Sequence, residues 1–190
     1  MTPTLRTARL LLEPYRPEDE DAFVALFQDR RVSRWMGDGR PAPEAEDRAL
    51  FGRVFTKVYA RRLFDVWAVR EDGRYVGHAE IKPAEAVGGH EIVYALVPEA
   101  WGRGLGTELA VAVVGHGFGA LGLNEVHATV TAANGASLAL LTRLGFAHSR
   151  DIEEDDGTVT RCLTLVRGDR QRRAGEGGRG RSTSRRINCP

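Results

Sequence analysis

Three glycines that alternate with larger residues are the first feature of this chain that could support chemistry. Within the stretch Leu96–Glu108, which has the sequence LVPEAWGRGLGTE, they are Gly102, Gly104 and Gly106. Glycines at this spacing let the backbone adopt positive φ values and let a ligand approach the main chain closely. We expect a helix to begin at about Leu105 or Thr107, with its free N–H groups and positive dipole end directed into the turn. An apolar strand, a glycine turn and a helix N-terminus together predict an anion site, most often for a phosphate.

The type of ligand stays open from this stretch alone. It lacks the Lys-Ser/Thr pair of a P-loop, and its glycines follow a late strand rather than the first one. A tight strand-to-helix turn without any ligand is the alternative interpretation.

The elements that must hold this turn follow from hydrophobic periodicity and turn residues. Strands are predicted over 10–13, 64–70, 75–81, 91–97, 125–130, 147–153 and 158–166. Helices are predicted from 17 to about 27 and over 43–59, 107–120 and 133–146, with loops over 30–43 and 82–89. This order predicts an α/β fold with a mixed sheet.

Particular residues should define two of these helices. In the helix predicted over 43–59, the apolar face is expected to comprise Leu50, Val54 and Val58. In the helix predicted over 133–146, Asn134 is a candidate N-cap and Gly145 is expected to end the helix.

Length and charge predict one domain and a short extension. The chain has 190 residues and a formal net charge of +1. Its C-terminal segment, 168–190, holds seven arginines against two acidic residues, so the remaining body is mildly acidic. We therefore expect a folded domain over 1–167 and a disordered, basic, Gly/Arg-rich tail over 168–190.

Composition argues against several classes of protein. No apolar run approaches the roughly 18 residues of a membrane span, and the N-terminus lacks the features of a signal peptide. The two cysteines, Cys162 and Cys189, lie far apart and predict neither a disulfide framework nor a zinc site. These observations predict a cytoplasmic protein with no membrane association and no bound metal.

Two motifs in order carry a resemblance to a known family. The first, WGRGLG at 101–106 followed by Thr107 and Glu108, matches an acetyl-CoA motif of the form Q/R-x-x-G-x-G/A, with Trp at the first position. The second has the form N-x-x-S-x-x-L-x-x-x-x-G-F and is matched by 134–146. The chain resembles the GNAT N-acetyltransferases over about Leu5–Val166. It is most similar to the branch that contains the ribosomal-protein N-terminal acetyltransferases, as TARLLL at 7–12 also suggests.

The resemblance implies where acetyl-CoA, the cosubstrate, would bind. Such proteins have a mostly antiparallel mixed sheet, flanked by helices and splayed between strands four and five, here 91–97 and 125–130. The pantetheine arm would lie in that gap and pair with backbone groups near Leu96 and Val97, as an added strand does. Asn134 would contact the same arm, and Ser137 would also contact the cofactor. The pyrophosphate would lie on the main chain of Gly102, Arg103, Gly104, Leu105, Gly106 and Thr107.

The same resemblance implies the catalytic residues. Acyl transfer to an amine requires a base that removes the amine proton, directly or through water, and Glu91 matches the position of such a base. His90 is a weaker candidate, because neighbours on a strand face opposite sides. Since no tyrosine follows Tyr94, Ser137 or water would have to protonate the leaving thiolate. The alternatives are structural: a solvent-facing strand residue for Glu91, a helix cap for Asn134 and local hydrogen bonds for Ser137.

The sequence therefore predicts an N-acetyltransferase in which the amine attacks acetyl-CoA directly, without an acetyl-enzyme. The acceptor would be a protein N-terminus or a small-molecule amine, and the protein a monomer or a homodimer. The alternative is a non-catalytic sensor or regulatory subunit that binds acyl-CoA. Nucleic acid is an unlikely partner, because the arginine-rich tail lacks aromatic residues for base stacking.

Overall fold

Eight strands form one sheet in the computed structural model, which describes residues 1–168. The strands are β1 (Leu5–Arg6), β2 (Leu10–Glu13), β3 (Asp65–Glu71), β4 (Arg74–Ala84), β5 (Gly89–Leu96), β6 (Glu125–Thr131), β7 (Ala147–Glu153) and β8 (Val159–Val166). Their order across the sheet is β1-β2-β3-β4-β5-β6-β8-β7. Neighbouring strands are antiparallel except β5 and β6, which are parallel. This is the mostly antiparallel mixed α/β sheet that the sequence predicts.

Helices cover both faces of the sheet. They are α1 (Glu20–Gln28), α2 (Arg30–Ser33), α3 (Glu44–Arg53), α4 (Leu105–Gly119) and α5 (Gly135–Leu144), with a π-helical turn at Val54–Tyr59. Side chains of β3 show the two layers, because alternate strand residues face opposite sides. Val66 packs with Phe23 of α1 and Phe51 of α3, whereas Trp67 belongs to the core cluster that contains Leu109 of α4.

The sheet opens between β5 and β6. Register pairs between β4 and β5 run from Ala84↔Gly89 to Gly77↔Leu96, whereas β5 and β6 share the single pair Glu91↔His127. Because the two parallel strands meet at this pair, their C-terminal parts diverge. We call the gap between these parts the fork. It confirms the predicted splay between strands four and five, which are β5 and β6.

Several predicted boundaries were wrong. β1 was not predicted, part of the predicted loop 30–43 forms α2, and β4 continues to Ala84 through part of the predicted loop 82–89. In the second predicted helix, Leu50 is 43% exposed, while Phe51 is buried with Val54 and Val58. Phe51, Val54 and Val58 are three and four residues apart, so the buried face keeps helical spacing and begins one residue later than predicted.

Other local predictions are confirmed. The Asn134 side chain accepts a hydrogen bond from the Ser137 N–H and caps α5, and Gly145 ends that helix at a φ of 98°. Within residues 1–168, no helix is long and apolar enough to span a bilayer. The predicted tail lies outside the described residues, apart from Gly168.

Candidate active site

The glycine turn leads from β5 into α4, and its glycines meet different requirements. Gly102 and Gly104 have φ values of 71° and 78°, which side-chain-bearing residues rarely adopt. Gly104 is the N-cap of α4, which begins at Leu105, one of the two predicted starts. Gly106 packs closely against α5, since a Cβ atom there would lie 3.1 Å from Cδ1 of Leu140, a tight contact. The turn therefore presents the free N–H groups of the first turn of α4 at the open end of β5.

Some main-chain groups at the end of β5 are already hydrogen-bonded, and others are free to bind a ligand. The Val97 N–H donates to the Val76 carbonyl (2.9 Å), and the Leu96 carbonyl accepts from Nε1 of Trp101 (2.8 Å). Because strand residues alternate in the direction of their peptide groups, the Leu96 N–H and the peptide groups of Tyr94 face away from β4, toward the fork. Pairing with a pantetheine arm would therefore use these groups rather than the Val97 N–H.

Glu91 lies where β5 and β6 part, and it is only 9% exposed. Its Oε1 accepts hydrogen bonds from the Thr129 N–H (3.0 Å) and from the Thr129 hydroxyl. The carboxylate thus satisfies a main-chain donor of β6 just beyond the last register pair. Its Oε2 makes no hydrogen bond within residues 1–168. Sequence reasoning selected Glu91 but missed Thr129, which is 38 residues away along the chain.

A line of polar side chains runs along β4 on the same face of the sheet as Glu91. The register pairs Lys82↔Glu91 and Glu80↔Val93 establish this shared face. Glu80 Oε1 lies 2.9 Å from His78 Nε2, and Glu80 Oε2 lies 2.8 Å from Lys82 Nζ. Burial by itself would raise the pKa of Glu80, but the hydrogen bond and charge of His78, together with Lys82, lower it to about 2. Glu80 is therefore an ionised and very weak base, and sequence reasoning did not identify it.

The first turn of α5 lies near the face of β5 that carries Tyr94, opposite to the face that carries Glu91. Asn134 uses its side-chain Oδ1 for the cap, at 3.2 Å from the Ser137 nitrogen, so its amide Nδ2 is the group left for a ligand. The Ser137 side chain is a polar neighbour of the Tyr94 hydroxyl. The residues predicted to contact the cofactor are therefore brought together around the fork by three elements, β5, α4 and α5.

The Arg103 side chain pairs with a carboxylate rather than pointing freely toward a phosphate. Its two terminal nitrogens donate to the two carboxylate oxygens of Glu71, each at 2.7 Å. This bidentate pair is the geometry in which arginine binds a carboxylate most effectively. Any contribution of Arg103 to anion binding would come from its backbone.

A second ion pair attaches the N-terminal segment to α4, and we call it the N-terminal clamp. Glu108 accepts hydrogen bonds from the Arg9 N–H (2.7 Å), from Arg9 Nε (2.8 Å) and from the Thr7 hydroxyl (2.5 Å). Arg9 Nη1 also donates to the Arg103 carbonyl at 2.9 Å. The clamp gives a shared structural role to Thr7, Arg9 and Glu108, which lie in two distant parts of the sequence.

Other titratable pairs lie apart from the fork. His116 Nε2 lies 2.7 Å from Asp65 Oδ2, beside a cavity of about 780 Å³ that also contains residues of the N-terminus and the end of α4. In the part of the chain that the structure describes, no group of three or more His, Cys, Asp or Glu side chains is arranged to hold a metal ion.

A mixed sheet forked between two parallel strands, with a glycine-lined helix N-terminus beside the fork, is the fold expected of the GNAT acetyltransferases. Residues 9–147 match the acetyltransferase (GNAT) domain, and the chain belongs to that family. The uncharacterized N-acetyltransferase YoaA of Bacillus subtilis (strain 168) is 31% identical over 153 residues, which cover 77% of this chain and 84% of YoaA.

Solved structures agree on the fold. Spermidine N-acetyltransferase from Vibrio cholerae, in complex with CoA and spermine, has a TM-score of 0.74 at 15% identity and covers 87% of this chain and 99% of its own. The ribosomal L7/L12 alpha-N-protein acetyltransferase RimL, in complex with coenzyme A, has a TM-score of 0.73 at 13% identity. That match covers 86% of this chain and 98% of RimL.

Proposed function

We propose that this chain transfers the acetyl group of acetyl-CoA to a primary amine, and that the cofactor binds in the fork. The observation that carries this proposal is the combination of unpaired β5 main chain with the glycine turn at the start of α4. The main-chain N–H groups of 102–107 would hold the pyrophosphate. The Leu96 N–H, Asn134 Nδ2 and Ser137 would hold the pantetheine arm.

Each chemical step can be assigned to residues of this chain. Glu91 Oε2 accepts the amine proton, directly or through one water, while Oε1 keeps its bond to Thr129. N–H groups of β5 that face the fork stabilise the developing oxyanion. The Ser137 hydroxyl donates to the departing sulfur. Glu80, on the same face of the sheet as Glu91, remains ionised and paired with His78 and Lys82.

The acceptor is proposed as a primary amine of a protein N-terminus or of a small molecule. The spermidine acetyltransferase and RimL represent these two kinds of acceptor among the structures with the same fold. The motif resemblance to the ribosomal-protein branch supports a protein N-terminus as the first class to screen. We also propose that 1–167 form the catalytic domain and 168–190 a basic tail.

A thiol-release assay with a panel of peptides, polyamines and other amines tests the activity, and mass spectrometry of the products identifies the acceptor. Transfer to at least one amine is expected. Binding of CoA without turnover on any amine would instead indicate an acyl-CoA sensor.

Glu91→Gln tests the assigned base. The amide keeps an oxygen that can accept from the Thr129 N–H, but it cannot take a proton, so we expect kcat to fall about 100-fold or more at neutral pH. The dissociation constant of CoA, measured by calorimetry, should change less than about twofold.

Thr129→Val is the matched control, because it removes the hydroxyl contact to Glu91 and leaves the carboxylate in place. We expect its kcat to fall less than about tenfold, since one hydrogen bond is lost. Equal losses in the two variants would show that Glu91 acts by holding the fork together rather than as the base.

A further inference from the structure

Lysine is rare in this chain, and one of the two lysines lies beside the proposed base. Among the 27 lysines and arginines of the sequence, only Lys57 and Lys82 are lysines. An arginine side chain stays protonated at any working pH, so these two lysines are the side chains that carry a primary amine. Because the proposed reaction joins an acetyl group to a primary amine, the position of each lysine decides whether the protein can modify itself.

Lys82 lies at the closed end of the fork, on the face of the sheet that carries Glu91. The two residues form a register pair of β4 and β5, and the Cβ atoms of such a pair are about 4.5–5.5 Å apart. The ammonium of Lys82 points along β4, because its Nζ lies 2.8 Å from Glu80 Oε2. Since Glu80 is paired with Val93, this contact brings Nζ from the level of Glu91 toward the diverging part of β5.

The face of the sheet is open to solvent at this level. Further along β5, Ala95 is buried in a cluster with side chains of α1 and α2. Val93 is only half-buried, and the Lys82 side chain is 34% exposed. An amine that reaches Glu91 from solvent would therefore pass Lys82, whose own amine already lies there.

We propose that Lys82 is a modification site, whose Nζ accepts the acetyl group of acetyl-CoA bound in the fork of the same chain. This inference rests on the proposed acetyl transfer. Glu91 takes one proton from the ammonium, directly or through water, and Nζ bonds to the acetyl carbon. The C–S bond breaks with its electron pair on sulfur, the nitrogen loses its second proton, and the thiolate takes up one. One proton is thus released for each amide that forms.

Acetylation would change the charge of the site, because acetyl-lysine is neutral. Glu80 Oε2 would lose its contact with an ammonium, while Oε1 would keep His78 Nε2 at 2.9 Å. A modified chain would therefore present one more uncompensated negative charge beside Glu91 to the next acceptor.

Incubation of the whole chain with acetyl-CoA alone, followed by digestion and mass spectrometry, tests the proposal. Lys57 is the internal reference, because it is exposed in the π-helical turn after α3. We expect acetylation of Lys82 to be at least about tenfold faster than that of Lys57, since an amine held beside the thioester reacts faster than a free one. The rate at Lys82 should not depend on protein concentration, because the transfer takes place within one chain.

Glu91→Gln separates catalysed transfer from uncatalysed acetylation of lysine. We expect the rate at Lys82 to fall about 100-fold, as for an added amine, because the base is lost. The rate at Lys57 should stay unchanged. Lys57→Arg is the matched control variant and should leave the rate at Lys82 within about twofold of the wild type, since the two sites are independent.

Chemical cross-linking measures the position of the amine without any turnover. A short reagent that joins a thiol to an amine, added to the complex with CoA, should link the CoA sulfur to Lys82 and not to Lys57. The same adduct should form in Glu91→Gln, because cross-linking needs proximity but no base.

Equal acetylation rates at the two lysines would overturn the proposal. An unchanged rate at Lys82 in Glu91→Gln, a rate that rises with protein concentration, or a cross-link that does not include Lys82 would each do the same. Transfer to an added amine with Lys82 unmodified would overturn this inference alone. Binding of CoA without transfer to any amine, Lys82 included, would instead overturn the proposed function.

Discussion

The N-terminal clamp gives a sharp prediction, because a single carboxylate joins two distant parts of the chain. Glu108→Gln keeps one oxygen for the Arg9 N–H and replaces the other with an amide group that cannot accept from the guanidinium. The two lost contacts are those from Arg9 Nε and Nη2, at 2.8 and 2.7 Å. Buried bonds to charged groups contribute about 1.5–3 kcal/mol each. The Arg9 side chain is 44% exposed, however, and exposed pairs contribute less than about 1 kcal/mol.

We therefore expect the free energy of unfolding to fall by about 1–2 kcal/mol in Glu108→Gln at neutral pH. For a domain of this size, each kcal/mol lowers the melting temperature by about 2–4 °C. KM for acetyl-CoA should rise modestly, because Arg9 also holds the Arg103 carbonyl in the glycine turn.

The pH dependence follows from the direction of the pKa shift at Glu108. Burial would raise this pKa, but the bonds from Thr7 and Arg9 outweigh it, so the pKa is lowered in the folded protein. A carboxylate with a lowered folded pKa contributes fully above its unfolded pKa of about 4.3. The contribution is lost as pH falls through the folded pKa. The stability difference between wild type and variant should therefore be constant above about pH 5 and shrink below it.

Urea unfolding followed by tryptophan fluorescence at several pH values measures this difference. Glu99→Gln is the matched control, since Glu99 is 72% exposed and lies 3.3 Å from Arg31. Its effect should be within about 0.5 kcal/mol of zero. A Glu108→Gln deficit that persists undiminished at pH 3, or one no larger than that of Glu99→Gln, would refute the reasoning.

Two glycine substitutions give further predictions. Gly77→Ala should destabilise the protein by about 3 kcal/mol or more in urea unfolding, because the new Cβ would lie 2.3 Å from the Ala95 carbonyl oxygen. Gly52→Ala, with no atom within 4 Å of its Cβ, should instead stabilise it by about 0.5–1 kcal/mol, and the reverse order would contradict the packing argument. Gly104→Val should abolish measurable CoA binding in calorimetry, because a β-branched residue is strained at φ 78° and covers the turn. Gly115→Ala, in open space on α4, should bind CoA normally.

Local signals explain what the sequence could predict. The positive φ values of Gly102 and Gly104 and the cap formed by Asn134 depend on a few neighbouring residues, so residue type and spacing indicate them directly. The fork was expected only through the family resemblance, because no single strand shows that its neighbour diverges. The exposure of Leu50 could not be predicted, since Leu50 and Phe51 are adjacent apolar residues that both fit a helical spacing with Val54, and only packing selects Phe51.

Contacts between distant residues explain what the sequence could not show. Thr7 and Glu108 are 101 residues apart, and nothing near either one indicates the other. The same is true of Tyr94 and Ser137, which belong to different elements and meet because α5 packs against β5. Sequence reasoning predicted roles for Glu91 and Ser137 as single residues, and the structure adds Thr129 and Tyr94 as their neighbours.

The fork also explains how Glu91 can combine two roles. Where β5 and β6 part, the Thr129 N–H loses its main-chain partner, and Oε1 of Glu91 replaces that partner at 3.0 Å. A carboxylate that takes up a proton on Oε2 still accepts hydrogen bonds on Oε1. The proposed base could therefore take up a proton without releasing β6. The fork, which is the proposed binding site of the cofactor, is held at its closed end by the same residue that is proposed to take the amine proton.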